Sequence, residues 1–457
     1  MMPMKSHPWL SLGRYRLTNW RLWAPDIEKK DLVPLYIISV AALDSYVWLS
    51  LTPYLANIFH ARIDESSFFM WWLIGAGVMS FVAGYISDTI GRKNTLIASA
   101  IILLASSVMG LFAQSWNIFL ISRLLQGLGS SGTQSVSTTL LHDYSSNGQY
   151  KIGYSAVSYL FAKVVGVILG AMVALVYWRD NYILLTIMDM AVIWLTWKFV
   201  PYKPMLHDSV SMKHLFFILL VCSWGVWVSM SHGKWAWISG GISAVLLWAY
   251  KSHHKRNSEI WSRISIAAFP AAVSGVALAF MNVWVPIHLE WTDHFHIIAS
   301  SLLLSLSFVC MEVSFLFISR NYAHWGDLNL QKISRSGAVW VSIVTFLNMI
   351  LILKTAYNVY TMSILLMSLG VLMGILFYQS TRLFSGGHES QNFSYKSTMI
   401  STSFFIRCMT AVAFLEWMQS YRLQHMSWLS ALWHSPSILM WVGIPLVLLV
   451  SSRVSLS

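Results

Sequence analysis

Charged residues are scarce in this chain. Asp, Glu, Lys and Arg make up 11% of its 457 residues, against roughly a quarter in an ordinary soluble domain. With a hydrophobic content of 56%, that deficit excludes a soluble globular fold. Cysteine is scarcer still. Cys222, Cys310 and Cys408 all fall in apolar runs, which argues against a disulfide framework or thiolate metal site and for small buried hydrophobes. Acids are the minority charge, 18 against 30 Lys and Arg, for a formal +12. In a soluble chain that excess would suggest nucleic acid, but here the bases lie in short loops between apolar runs. That pattern is topological, so no nucleic-acid partner is expected. Residues 1–32 have no apolar core and mix acids with bases, so they are expected to be a cytoplasmic segment and not a cleaved signal. The sequence shows no nucleophile–base pair, no metal-ligand constellation and no repeated filter. An enzyme, a cofactor, a metal and an ion channel are therefore not expected.

What the chain has in abundance is apolar runs of about 20 residues, each able to cross about 30 Å of hydrocarbon. Spans are predicted at 33–55, 68–86, 95–113, 117–140, 152–176, 181–199, 214–231, 235–250, 265–288, 297–319, 337–354, 358–380, 396–418 and 436–452. The fold class is all-α and polytopic, with the lipid bilayer as its solvent. Loop charge supplies an independent check. Of the 30 Lys and Arg, three fall within spans; with the N-terminus inside, only Arg62, Arg179, Lys234, Lys354 and Arg422 lie outside and the remaining twenty-two lie inside. So strong a positive-inside bias supports an even count with both termini cytoplasmic, because one span more or fewer would invert everything after it.

Fourteen spans divide as six, two and six. Expected units are an N-terminal segment at 1–32, a bundle at 33–200, a linker with two inserted helices at 201–263, and a second bundle at 264–457. Between the second and third spans stands Gly84-Tyr85-Ile86-Ser87-Asp88-Thr89-Ile90-Gly91-Arg92-Lys93. Two glycines, one acid and two adjacent bases read as a tight loop at the membrane surface, with Arg92 and Lys93 on the cytoplasmic side. The stretch resembles the G-x-x-x-D-x-x-G-R-K/R loop signature of the major facilitator superfamily, with Thr89 where that family has a further Arg. The layout resembles most the 14-helix drug:proton antiporter branch. The resemblance implies two six-helix bundles plus two inserted helices, alternating access, and Gly84, Asp88, Gly91, Arg92 and Lys93 as a gating loop.

The ionisable residues inside spans are Asp44, Arg123, Lys163, Asp189, Glu312, Arg407 and Glu416. Left unpaired they would cost on the order of 20 kcal/mol together, so most are expected to be paired or to line a wet cavity. Asp44 opens Leu43-Asp44-Ser45-Tyr46-Val47-Trp48, close to mid-membrane, and a desolvated carboxylate suits a group that binds and releases protons. Ser122-Arg123-Leu124-Leu125-Gln126-Gly127-Leu128-Gly129-Ser130-Ser131-Gly132 resembles the superfamily's fourth-helix motif, which implies a proton-coupling role for Arg123. Its glycines match a dinucleotide fingerprint by letter only; inside an apolar helix they read as small residues for close packing. The fifth span keeps Gly166 and Gly170 of the antiporter motif but lacks its proline. Lys163, unusual for the family at mid-span, is expected to pair with Asp44 or Asp189, or to meet an anionic substrate group. Arg123 and Glu416, nearer the span ends, are expected to snorkel in part.

The expected function is proton-coupled export of small amphipathic or organic-ion molecules by a monomer in the cell inner membrane. Asp44, Arg123, Asp189 and Glu312 would carry proton coupling, and Trp48, Tyr159, Lys163, Trp284 and Arg407 would line the substrate cavity. The alternative is a proton symporter importing a metabolite whose anionic group meets Lys163 and Arg407.

Overall fold

A computed structural model describes residues 29–60, 66–143, 148–202, 212–253, 258–292, 297–322, 340–351, 359–385, 393–423, 430–431 and 435–442. All regular structure among them is helical. The elements are α1 (Lys29–Tyr46), α2 (Thr52–Ile58), α3 (Ser67–Ile90), α4 (Arg92–Leu111), α5 (Trp116–Asp143), α6 (Gly148–Tyr177), α7 (Asp180–Phe199), α8 (Met212–Met230), α9 (Gly233–His253) and α10 (Ser258–Ala279). A π-helical turn, Phe280–Trp284, leads into α11 (Val285–Thr292), followed by α12 (Ile297–Tyr322), α13 (Trp340–Leu351), α14 (Val359–Ser385) and α15 (Phe393–Leu423). Seven of the described helical runs are long and apolar enough to cross a membrane: α3, α4, α6, α7, the α10–α11 run, α12 and α14. α5 and α15 are not among them, since they carry Arg123, Gln126, Arg407, Glu416 and many hydroxyls.

Two groups of helices pack among themselves. α1 lies on α5, α6 and α7, α3 on α5, and α4 on α5 and α7; in the other group α10 lies on α14 and α15, and α12 on α14. Two seams join the groups, α3 against α15 and α6 against α12, and α8 lies against both helices of the first seam. Small residues set the closest approaches. A Cβ on Gly127 would stand 2.1 Å from the Trp72 carbonyl oxygen, and one on Gly170 would stand 2.0 Å from that of Val47. Only glycine permits either contact, so α5 is seated on α3 and α6 on α1 by backbone-to-backbone packing.

Three details depart from the sequence reading. The first span is not one continuous helix: α1 stops at Tyr46, a 3₁₀ turn occupies Leu49–Leu51, and α2 resumes at Thr52. Pro53 explains the break, because it lacks an N–H and its ring collides with the carbonyl four residues earlier. The surface loop at 84–93 is in fact a single residue. α3 runs to Ile90 and α4 starts at Arg92, linked by Gly91 at φ 91° and ψ 151°, a conformation open to glycine and hostile to other residues. The hydroxyls of Ser87 and Thr89 bond back to carbonyls one turn earlier, at 3.0 Å to Gly84 and 2.9 Å to Ile86, which satisfies them inside the helix. Finally, the span expected at 265–288 starts earlier, at Ser258, and contains the π-helical turn.

Candidate functional site

Around Gly91 the two bases do structural work. Arg92 Nη1 donates to Ser87 Oγ at 2.6 Å, and Lys93 Nζ donates to the Trp197 carbonyl at 2.6 Å. The second bond satisfies one of the open carbonyls in the last turn of α7. Gly84 is buried in α3; Asp88 lies in the last turn of that helix, and its side chain is outside the described residues.

The first polar cluster lies inside the α1–α7 group. Asp44 is fully buried on α1, and α5 presents Arg123 and Gln126, three residues apart and so on one face. Gln126 Nε2 donates to Asp44 Oδ1, and Gln126 Oε1 accepts from Arg123 Nη1. A neutral amide therefore stands between carboxylate and guanidinium, where the sequence suggested that Asp44 meets a base directly. Asp44 Oδ2 and Arg123 Nε and Nη2 are buried with no hydrogen-bond partner. Arg123 does not snorkel: it is 0% exposed, with its guanidinium 4.4 Å from the Phe68 ring centre. Phe68 in turn stacks with Trp116 and Phe119. Asp189 on α7 accepts from Ser107 Oγ of α4 at 2.8 Å. Trp48 is fully buried beside this cluster, packed against Phe119 and Tyr182 at 6.2 and 4.3 Å between ring centres.

The second cluster lies on the α6–α12 seam. Lys163 Nζ donates to Glu312 Oε1 at 2.5 Å, and both side chains are buried. The expected partners, Asp44 and Asp189, are not used; the bridge instead joins the two helix groups. Three rings surround the ammonium, Tyr159 at 5.0 Å, Tyr46 at 5.5 Å and Phe308 at 6.0 Å. Tyr46 and Phe308 meet edge to face across the seam at 5.3 Å. Gly166 and Gly170 bring α6 onto α1 and thereby place Lys163 beside Tyr46.

Arg407 of α15 forms a third polar centre. Its Nε donates to Ser274 Oγ of α10 at 3.0 Å, and its guanidinium lies 3.9 Å from the Phe377 ring centre of α14. Trp284 is partly buried and stacks on Phe280 at 4.7 Å. Glu416 does not snorkel freely either, since its Oε1 lies 2.7 Å from His232 Nε2 in the turn between α8 and α9. Among the described residues no group of three or more His, Cys, Asp or Glu could hold a metal.

A family model described as Major Facilitator Superfamily matches residues 35–399. The chain belongs to the Major Facilitator Superfamily. That superfamily is made of transporters of small-molecule substrates, and the apolar helices make this chain a multi-pass membrane protein. This facilitator is 26% identical over 150 residues to the MFS-type efflux pump MMF1 of Pseudozyma antarctica, covering 32% of this chain and 26% of that one. It is 31% identical over 110 residues to multidrug resistance protein MdtL of Vibrio parahaemolyticus, covering 24% and 27%. Each alignment spans about a quarter of the relative's length. The human organic anion transporter MFSD10 has the same all-α facilitator fold, with TM-score 0.59 and 13% identity over 93% of this chain and 100% of that one.

Each of the three polar centres of this facilitator holds a charged residue that stands out in the sequence, whereas Gln126, Tyr46 and Phe308 beside them were not singled out. Gln126 was within reach, since an amide one turn from Arg123 shares its face. The aromatic lining of Lys163 has no local signal.

Proposed function

We propose that this facilitator is a proton-coupled exporter of small amphipathic or organic-ion molecules, alternating access between helix bundles at 33–200 and 264–457. The proposal includes fourteen spans, both termini cytoplasmic, and a monomer in the cell inner membrane. The observation that carries it is the buried Lys163–Glu312 bridge between α6 and α12. A buried ion pair on a seam has two good states, paired and dry or parted and hydrated. A proton on Glu312 removes the counter-charge of Lys163 and so favours parting, which links proton binding to movement of the bundles. Asp44 is the second proton acceptor in this reading. One of its oxygens is held by Gln126 while the other is open to a proton, and Gln126 links it to Arg123.

The second reading is symport of a metabolite with an anionic group. It is favoured by two buried bases set against aromatic rings, Lys163 beside Tyr159 and Arg407 beside Phe377. Proteoliposomes with an imposed pH gradient separate the two, using ethidium as a cation and fluorescein as an anion. Proton-driven counterflow of ethidium supports export, and fluorescein uptake along the proton gradient supports the second reading. Asp44→Asn should leave the protein folded and abolish gradient-driven flux. An Asp44→Asn protein that still concentrates the dye in response to pH removes Asp44 from the mechanism.

A further inference from the structure

Asn282 sits in the middle of the π-helical turn Phe280–Trp284, 1% exposed. Neither its Nδ2 nor its Oδ1 has a hydrogen-bond partner, and no other Asn or Gln among the described residues is buried with both ends unsatisfied. The run Ala268–Ile287 around it is 94% buried. Two independent features therefore coincide. A π turn widens the helix by one residue at a cost in regularity, and such turns are kept where a side chain must be re-aimed. A buried amide without partners is penalised, and native proteins rarely leave one unexplained. Phe280 and Trp284 stack on each other one turn apart, and Phe280 also meets Phe414 of α15 at 6.4 Å. Asn282, two residues from each, projects from the other side of the turn.

We infer that Asn282 is a substrate-binding residue that recognises a carboxamide or similar group carrying a donor and an acceptor side by side. The chemistry of the amide selects that class. Its oxygen accepts and its nitrogen donates in one plane, so only a ligand that presents both can satisfy both ends. A carboxylate would leave Oδ1 unpaired and an ammonium would leave Nδ2 unpaired. The inference rests on the transporter reading above and names the group that this facilitator recognises in its substrate.

Benzamide, an uncharged amphipathic primary carboxamide whose C=O and syn N–H share one edge, is the probe. Its affinity for purified protein would be compared in wild type, Asn282→Leu, which keeps volume and loses both bonds, and Asn282→Asp, which trades the amide N–H donors for a carboxyl oxygen. The expected result is a loss of about tenfold in Asn282→Leu and a smaller loss in Asn282→Asp. Without probe, Asn282→Leu should melt higher than wild type, because the unpaired amide is gone. If Asn282→Leu does not fold, Asn282→Asp alone decides. Unchanged affinity in the variants, or no binding by wild type, overturns the inference. Ethidium flux by wild type is scored separately. Flux without an Asn282 effect leaves the transporter reading standing, and an Asn282-dependent affinity without flux leaves this site standing alone.

Discussion

Removing one partner of the bridge between α6 and α12 is the sharpest perturbation the structure offers. Lys163 and Glu312 touch at 2.5 Å with both side chains buried. Their charge centres, about 4 Å apart, attract by about 4 kcal/mol at an effective dielectric near 20. Dehydrating both ions offsets most of that, so the pair adds little against an apolar pair of the same size. The asymmetry appears when one partner goes. Glu312→Gln strands an ammonium among Tyr46, Tyr159 and Phe308, which should cost about 3–5 kcal/mol in the joined arrangement. Lys163→Met strands the carboxylate, and the double variant Lys163→Met/Glu312→Gln strands no charge, so it should recover most of the loss. Cys222 and Cys408 are buried thiols, and a thiol-reactive fluorophore therefore reports unfolding during a melt. The cycle should give a coupling of at least about 2 kcal/mol. Part of the loss in Glu312→Gln should appear as separation of the bundles, because 3 kcal/mol shifts a two-state balance by about a hundredfold. Spin labels at Ser66 and Gln419, whose side chains lie 3.3 Å apart across the α3–α15 seam, would follow that movement at one end of the molecule. Single and double variants of equal stability within about 0.5 kcal/mol would refute the reasoning, since the bridge would then be too wet to join anything.

Three further outcomes are expected. Gly170→Ala should disable folding or function by driving α6 off α1, since its Cβ would stand 2.0 Å from the Val47 carbonyl, whereas Gly241→Ala has nothing within 4 Å and should be neutral or slightly stabilising; similar melts for the two would mean that α1 and α6 yield freely. The hydrogen bond and charge of Glu416 raise the pKa of His232 above its ordinary value, with Ser435 Oγ at 3.3 Å and exposed Lys234 nearby. A raised pKa makes the contact of the α8–α9 turn with α15 fully present below about pH 6.5 and lost as pH climbs through the folded value. His232 is half exposed, so the effect should stay below about 1 kcal/mol, and hydrogen exchange at residues 231–234 should quicken with pH in wild type and not in His232→Gln. Reporters fused at Ser231–Lys234 should read outside and reporters following His253 inside, and both on one side would dismiss the inserted pair as spans.

The helical, membrane-crossing character of this protein is written locally. Hydrocarbon offers no partner to a backbone amide, so every crossing must be an apolar helix of about 20 residues, and such runs can be read one at a time. The loop signature at 84–93, the small-residue faces at Gly127 and Gly170 and the isolated charges at Asp44, Lys163 and Glu312 are equally visible along the chain, because each is a departure from a uniform apolar background. Partnership is another matter. Lys163 and Glu312 are 149 residues apart, and no local rule could choose Glu312 over Asp44 or Asp189; the crossing of α6 with α12 chose it. The same holds for Gln126 between Asp44 and Arg123, for Trp48 sealed by Phe119 and Tyr182, and for the π turn that strands Asn282. Along the chain a buried charge says only that it needs a partner. Which partner it finds depends on where the helices cross, and glycine contacts between distant segments decide that.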